Sequence, residues 1–449
     1  MRTMKILGGF LAAFLPGIQQ TSAQERIALS LEKSIEIGLE NSTVLHSSMM
    51  KVQASDAKSN EVSTARLPRI QLGGSYTRLS DVPPFDIGPF PPLINGKVTV
   101  SPALVNNYAL RLSLQQPLFT GFRVQSSSDI AEYSAQAAER DYRRDRAELV
   151  YTIQNAYWNL FKAYEFKKVV EESIEQVKAH LNDVQNMYAQ GLVTKNEVLK
   201  IDVQLSSTQL TQLDAQNTLR LATLALNNTI GTPLATEITL TSHIGQSERN
   251  YGDADALVRQ AIDKRPELEG MEMRVKAGEA GVTLARSSWY PQVYLTGNYY
   301  YARPNQRIFP SQDQFRDTWE VSLTASLDLW NWGQTIYQTT EAQAQFEQAK
   351  DARRQLEDGI ILEVTQNYLN YNASTERIAV AEKAVQQAEE NYRITDEKFK
   401  AGLGLNADLL DAEVALLQVK WNHIQALVDH ALAEARLQKA IGQPTPQGK

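Results

Sequence analysis

The segment TWEVSLTASLDLWNWG, residues 318–333, changes its period partway along. Up to Leu329 it alternates. Trp319, Val321, Leu323, Ala325, Leu327 and Leu329 fall on one face; Glu320, Ser322, Thr324, Ser326 and Asp328 fall on the other. That is a strand period, and it predicts a strand over 318–329. After Gly333 no proline occurs until Pro444. Proline breaks helix interiors, so this tract suits helix. A long strand that runs straight into a very long helix decides the fold.

The chain says this twice. PLFTGF at 117–122 sits 211 residues before DLWNWG at 328–333. The same offset links Tyr157 to Tyr368, Gly191 to Gly402, and IGTP at 230–233 to IGQP at 441–444. Upstream, Leu45 and Pro68 match Leu268 and Pro291 at an offset of 223. The first copy therefore carries 12 extra residues between Pro68 and Pro117, where six prolines within 83–102 mark a loop. This is an internal duplication. Each copy reads as helix, two strands, very long helix, sharp turn, helix. The expected division is a first repeat at 24–233 and a second at 254–444, joined by a linker at 234–253 and followed by a tail at 445–449. Within them, β-hairpins are expected at about 69–117 and 292–329, and helical hairpins at about 123–230 and 334–441.

The other strands share the alternation. In 107–116, Tyr108, Leu110, Leu112 and Leu114 oppose Ala109, Arg111, Ser113 and Gln115. In 292–301, Val293, Leu295, Gly297, Tyr299 and Tyr301 share a face, and in 69–78 so do Ile70, Leu72, Gly74 and Tyr76. Crossing a bilayer takes a strand of roughly 9–11 residues with an apolar outer face and a polar lumen face. All four segments fit, which makes Trp319, Val321, Leu323 and Leu327 candidates to face lipid. A half-buried soluble sheet also alternates. Aromatics gather where strands meet helices: Phe119, Phe122, Trp289, Tyr290, Trp330 and Trp332. An interfacial belt would place them so. Four strands cannot close a barrel, and lipid forbids an open edge, so spanning strands must be shared between chains. Three chains would give twelve strands, and two would give eight, a barrel filled by its own side chains.

From about Arg123 to Ala189, and from about Gln334 to Lys400, nothing interrupts the helical pattern. At 1.5 Å per residue each helix is roughly 100 Å long. Ile174, Val177, Leu181, Val184 and Tyr188 form a heptad seam, as do Leu410, Val414, Leu417, Trp421, Ile424 and Val428, and both predict coiled-coil packing. QGLVTKNEVLK at 190–200 turns at Gly191, with Thr194 and Glu197 spaced as a capping box. KAGLGLNADLLD at 400–411 repeats the turn with Gly402 and Gly404, and Asn406 is the expected cap. The segments 30–66 and 254–289 supply one more helix each.

Composition narrows the function. With no cysteine, disulfides, thiolate metal sites, cysteine nucleophiles and a lipoprotein anchor are excluded. Arg2, Lys5, the apolar run ILGGFLAAFL at 6–15 and Thr-Ser-Ala at 21–23 read as a secretory signal cleaved after Ala23, so 1–23 is a signal peptide. Its removal moves the formal charge from −7 to −9, which argues against nucleic acid as a partner. No later run is long and apolar enough for a transmembrane helix. His46, His180, His243, His423 and His430 lack close ligand spacing, and His423 and His430 are expected at the surface. No nucleophile–base or metal constellation is found, so no enzyme and no cofactor is expected.

The duplication, the PLFTGF strand-to-helix junction and two hairpin tips followed by EVL and DLLD together resemble the TolC-type outer-membrane efflux protein family. The GLVT tip and the IGTP and IGQP repeat ends resemble it too. The resemblance implies a mainly α fold with a transmembrane β-barrel portion: a homotrimer with a twelve-stranded barrel in outer-membrane lipid, continuous with a helical periplasmic tunnel. Strand hairpins at 80–106 and 302–317 would face outside. It implies a passive exit duct for an inner-membrane pump or type I exporter, docked through a periplasmic adaptor protein. Adaptor docking carries over to Gly191, Leu192, Val193 and Thr194, and to Gly402, Leu403, Gly404 and Leu405. Acids past the second tip ring the periplasmic entrance in relatives, which carries over to Asp408 and Asp411. They are three apart on a helix and share a face. Six such carboxylates around a trimer's mouth would attract cations. The first copy has Glu197 and Lys200 there, a balanced pair. Relatives that lock the mouth with a tyrosine and an arginine have them where this chain has Phe399 and Gly404, so its closed state is expected to rest on other contacts. The alternative is a secreted periplasmic coiled-coil scaffold or adaptor, which explains the helices and the signal but not four bilayer-length strands in two matched pairs.

Overall fold

The computed structural model describes residues 26–81, 83–242, 244 and 249–443; the expected signal peptide and tail lie outside them. The first repeat opens with β1 (Arg26–Leu29), α1 (Leu31–Asn41) and α2 (Thr43–Ser63), then a 3-10 turn at Thr64–Arg66 and β2 (Arg69–Arg78). Inside the proline-rich insertion, β3 (Phe85–Ile87) pairs with β4 (Val98–Ser101). β5 (Asn106–Thr120), α3 (Arg123–Ala189), α4 (Lys195–Ile230) and β6 (Glu237–Leu240) complete it. The second repeat runs α5 (Ala254–Lys264), α6 (Pro266–Arg286), β7 (Gln292–Arg303), β8 (Arg316–Ser326), α7 (Gln334–Lys400) and α8 (Asn406–Ala440).

Several expectations need correction. Segments 30–66 and 254–289 each hold two helices, not one. Ser42 is extended at ψ 113° and its hydroxyl accepts from the Leu45 amide, so it caps a new helix. In the second copy Pro266 enforces the same break, because the residue before proline is pushed out of the helical region; Arg265 has ψ 123°. The stretch 234–253 is not bare linker, since β6 lies in it and pairs in parallel with β1. β8 stops at Ser326, so Leu327 and Leu329 stand beyond the strand. Thr194 begins α4 without a side-chain cap, and Leu405, not Asn406, precedes α8.

The strand-to-helix junctions show how the repeat tolerates different letters. Gly121 and Phe122 have φ of 60° and 69°; Trp332 and Gly333, 211 residues on, have 55° and 81°. Both copies make a left-handed two-residue bend, and each puts glycine at a different step. At Gly121 a Cβ would lie 2.4 Å from the Ser287 carbonyl, so the bend and the close approach both require glycine there.

Four strands form one antiparallel sheet in the order β2-β5-β7-β8. Its register sets Ile70 opposite Leu114, Leu112 opposite Tyr299, and Leu323 opposite Leu295. The four apolar alternations thus merge into one face. Among the described residues, neither β2 nor β8 has an outer partner.

The helices hold the core. Tyr157 is fully buried, and its hydroxyl donates to the Leu29 carbonyl at 3.1 Å. Tyr368 donates to the Gly252 carbonyl at 2.9 Å. These bonds are equivalent under the two sequence offsets, so each long helix is pinned to the strap before its short helices in the same way. Around Tyr157 pack Ile153, Leu226, Ile230 and Val428; a second cluster joins Leu257, Ile360, Val364 and Leu437.

Candidate functional site

Three regions concern the candidate residues. The first is the apolar face of the sheet. Trp319, Val321 and Leu323 project from β8 with about two-thirds of their surface exposed, and Ile70 and Leu72 on β2 match them. A contiguous exposed apolar face of this size marks a contact surface for a protein or a membrane. At the helix end of the sheet, Phe119 and Phe122 make an edge contact at 5.6 Å, as do Phe122 and Tyr290 at 5.5 Å and Trp330 and Trp332 at 5.9 Å. Trp289 is exposed beside Tyr290.

The second region is the pair of hairpin tips. Gly191 and Gly402 are left-handed at φ 76° and 72°. In each, the amide three residues past the helix end donates back to the last turn: Leu192 to the Met187 carbonyl and Leu403 to the Lys398 carbonyl, both 2.9 Å. This is Schellman geometry. Leu192, Leu403 and Leu405 are left exposed, with Thr194 beside them. Val193 is half-buried against a small core of Val177, Val184, Ile201, Phe399 and Leu409. Gly404 lies close over the helix end, where a Cβ would come within 3.1 Å of the Phe399 nitrogen.

The third region lies just behind the second tip. Asp408 and Asp411 are exposed in the first two turns of α8 and make no ion pair among the described residues. Glu197, opposite, is occupied: Asn406 donates to its carboxylate at 2.8 Å and Lys200 at 2.9 Å. The Asn406 amide, then Lys200, holds the Glu197 carboxyl below its ordinary range. Asn406 therefore ties α8 to α4 rather than capping α8.

Sequence reasoning missed a buried pair. His180 on α3 and Glu413 on α8 are almost fully buried, with Nδ1 and Oε1 3.1 Å apart. The other polar atoms of both side chains, Nε2 and Oε2, are buried and have no hydrogen-bond partner among the described residues. Phe399 closes the site with its ring 5.1 Å from the imidazole. On α7, Tyr392 is pushed up to about 12 by burial, then by the Glu413 charge. Of the expected seam on α8, Leu410, Leu417, Trp421 and Val428 pack within the chain and Val414 is exposed, while Leu409, Ala412, Glu413 and Leu416 beside it are buried. A signal existed: His180 is three residues past Val177 and four before Val184, a core heptad position holding a polar residue. His430, expected at the surface, is also buried, with Nδ1 3.0 Å from the Ser374 hydroxyl.

The family model described as "Outer membrane efflux protein" matches twice, over residues 35–232 and 257–443. The chain is similar to outer membrane protein TolC of Vibrio cholerae serotype O1, 22% identical over 317 residues, which span 70% of this chain and 72% of the relative. It is similar to alkaline protease secretion protein AprF of Pseudomonas aeruginosa, 24% identical over 349 residues, spanning 75% and 70%. Among solved structures, the Vibrio cholerae outer membrane protein VceC superposes with a TM-score of 0.78 at 22% identity, covering 92% of this chain and 96% of that one. The Campylobacter jejuni CmeC outer membrane channel also gives 0.78, at 16% identity, covering 93% and 87%. The double match falls on the two copies found in the sequence, and the chain belongs to the outer membrane efflux protein family.

Proposed function

We propose that three copies of this chain close one twelve-stranded barrel across the outer membrane, continue as a helical tunnel into the periplasm, and act as a passive exit duct. The observation that carries this reading is the duplication itself. Inside one chain β5 pairs with β7, and α3 packs along α8. Exchanging the repeats turns these seams into β8 against β2, and α7 against α4, of a neighbouring copy. Those are the unpaired sheet edges and the helices with exposed leucines. On α4, Leu210 and Leu221 correspond to Trp421 and Leu432; on α7, Leu362 and Leu369 correspond to Tyr151 and Trp158. In the intrachain seam, Phe166 meets Trp421 with ring centroids 4.3 Å apart, and Trp158 shares a core with Leu432. A soluble scaffold would leave both sheet edges and the whole apolar face uncovered.

The exchange also gives a register. Leu112 opposite Tyr299 becomes Leu323 opposite Tyr76 of the next copy. In one chain those residues lie on the outermost strands, which are themselves about 14 Å apart at ordinary strand spacing, already too far for a disulfide. The natural chain has no cysteine. The expected result for Tyr76→Cys with Leu323→Cys is an oxidised product running as a covalent trimer from the outer-membrane fraction. Oxidation that leaves only monomer would remove this closure.

In this reading Trp319, Val321, Leu323 and Leu327 meet lipid, and Phe119, Phe122, Trp289, Tyr290, Trp330 and Trp332 form its belt on the periplasmic side. The tips, Gly191 to Thr194 and Gly402 to Leu405, meet a periplasmic adaptor, and an inner-membrane pump or exporter supplies the energy. Relatives named for protease secretion and for toluene efflux support one duct build serving different pumps. Asp408 and Asp411 ring the entrance. Replacing both with asparagine removes six carboxylates per trimer and should lower potassium-over-chloride selectivity several-fold in a planar bilayer. Unaltered selectivity would sink the gate assignment.

A further inference from the structure

The polar face of the sheet has a charge bias that the rest of the chain lacks. The protein is acidic, with a formal charge of −7. Yet the residues sharing the polar face include Arg69 on β2, Arg111 on β5, and Arg316 with Glu320 on β8. The only acid among them is already partnered. The Glu320 carboxylate accepts from the Asn298 amide at 2.9 Å and the Tyr300 hydroxyl at 3.1 Å, and it pairs with Arg307 from the β7–β8 loop.

Arg111 is different. Its Nε and Nη2 both donate to the Asn298 side-chain oxygen, at 3.0 and 2.8 Å. Asn298 is buried and is itself held by Glu320. The guanidinium therefore has a fixed place but a neutral partner. It makes no ion pair among the described residues, and of its five N–H donors only two are used. Its carbon lies 5.4 Å from the Tyr300 ring centroid, and that of Arg307 lies 4.6 Å from the same ring. Two guanidiniums thus lie against one aromatic ring.

We propose that Arg111 is a solute-contacting, charge-selecting residue of the barrel, recognising multivalent anions such as carboxylates and phosphates. This rests on the trimeric-barrel reading, which turns the polar face inward and repeats Arg111 three times at one height. A guanidinium with spare N–H groups suits a carboxylate or phosphate, which it can grip with two parallel bonds. The barrel would then favour anions, while the entrance acids Asp408 and Asp411 favour cations. A solute crossing both would meet charge filters of opposite sign.

The test uses the full-length protein in planar bilayers, with benzene-1,3,5-tricarboxylate added on the barrel side and its half-blocking concentration read. Attraction grows with probe charge and is screened by salt, so a trivalent probe at low salt is the sensitive choice. Arg111→Gln is expected to raise the half-blocking concentration about tenfold, and Arg111→Lys, which keeps the charge but loses the forked bond, by a smaller factor. Equal block of wild type and Arg111→Gln by conducting trimers overturns the assignment and leaves the barrel standing. Failure of the wild-type chain to form a trimer in the outer-membrane fraction overturns the barrel, and this proposal with it.

Discussion

Val321→Arg is expected to remove the trimer from the outer membrane, while Thr324→Lys on the same strand is expected to leave it there. Val321 is the middle residue of β8 and lies on the apolar face, opposite Gly297 of β7. Thr324 points the other way, opposite Tyr294. A cation on the lipid face near the bilayer midplane costs about 2–4 kcal/mol per strand, whereas lumen substitutions mainly tune selectivity. Each trimer carries the change three times, and about 1.4 kcal/mol is already tenfold in an equilibrium. Yield should therefore fall well over tenfold for Val321→Arg. The measurement is detergent-extracted trimer per outer-membrane protein, by sizing. Equal yields from the two variants would mean that β8 does not present Val321 to lipid. Loss of both would mean the strand tolerates no charge on either face, contrary to a water-filled lumen.

Much of this frame could be read from letters because its signals are long. Two proline-free tracts delimited α3 and α7, and the glycines at 191 and 402 set their ends. Alternation located β2, β5, β7 and β8, and the sheet register then joined four separate patterns into one face. Short features left no period to read. β6 has four residues, and its pairing with β1 joins segments more than two hundred residues apart. The break at Ser42 depends on one hydroxyl. At 318–329 the alternation outran the strand, because sequence does not tell where pairing to β7 stops. Seams were harder still. Helix α8 carries apolar residues on two sides, and heptad spacing fits both. Leu409, Ala412 and Leu416 are buried within the chain, Leu410, Leu417, Trp421 and Val428 pack there too, and Val414 is left exposed. That is the pattern of a helix with neighbours on both flanks.

The second large effect concerns what holds the tip of α8. Behind the second tip, the buried His180–Glu413 pair joins α3 to α8, and the Phe399 ring covers it. Both side chains are buried, so solvent does not screen the interaction. Removing one member of a buried pair leaves the other unsatisfied, at a cost of about 3–5 kcal/mol, while replacing both with apolar residues of similar size is often neutral. His180→Ala strands the Glu413 carboxylate against Phe399 and Tyr392. Local opening of residues 399–416 should then rise by about 10²- to 10³-fold, read as loss of amide-exchange protection there but not around Tyr157. His180→Leu with Glu413→Met should restore protection close to wild type, since the site then holds only apolar atoms. If the single and double variants exchange alike, the pair contributes nothing beyond packing. If the single variant alone loosens the tip, the same variant should conduct more readily, because Asp408 and Asp411 ride on the first turns of the freed helix. A buried hydrogen-bonded pair at this place would thus hold the second hairpin to the first more selectively than packing alone, since every alternative position of α8 leaves a buried polar group without its partner.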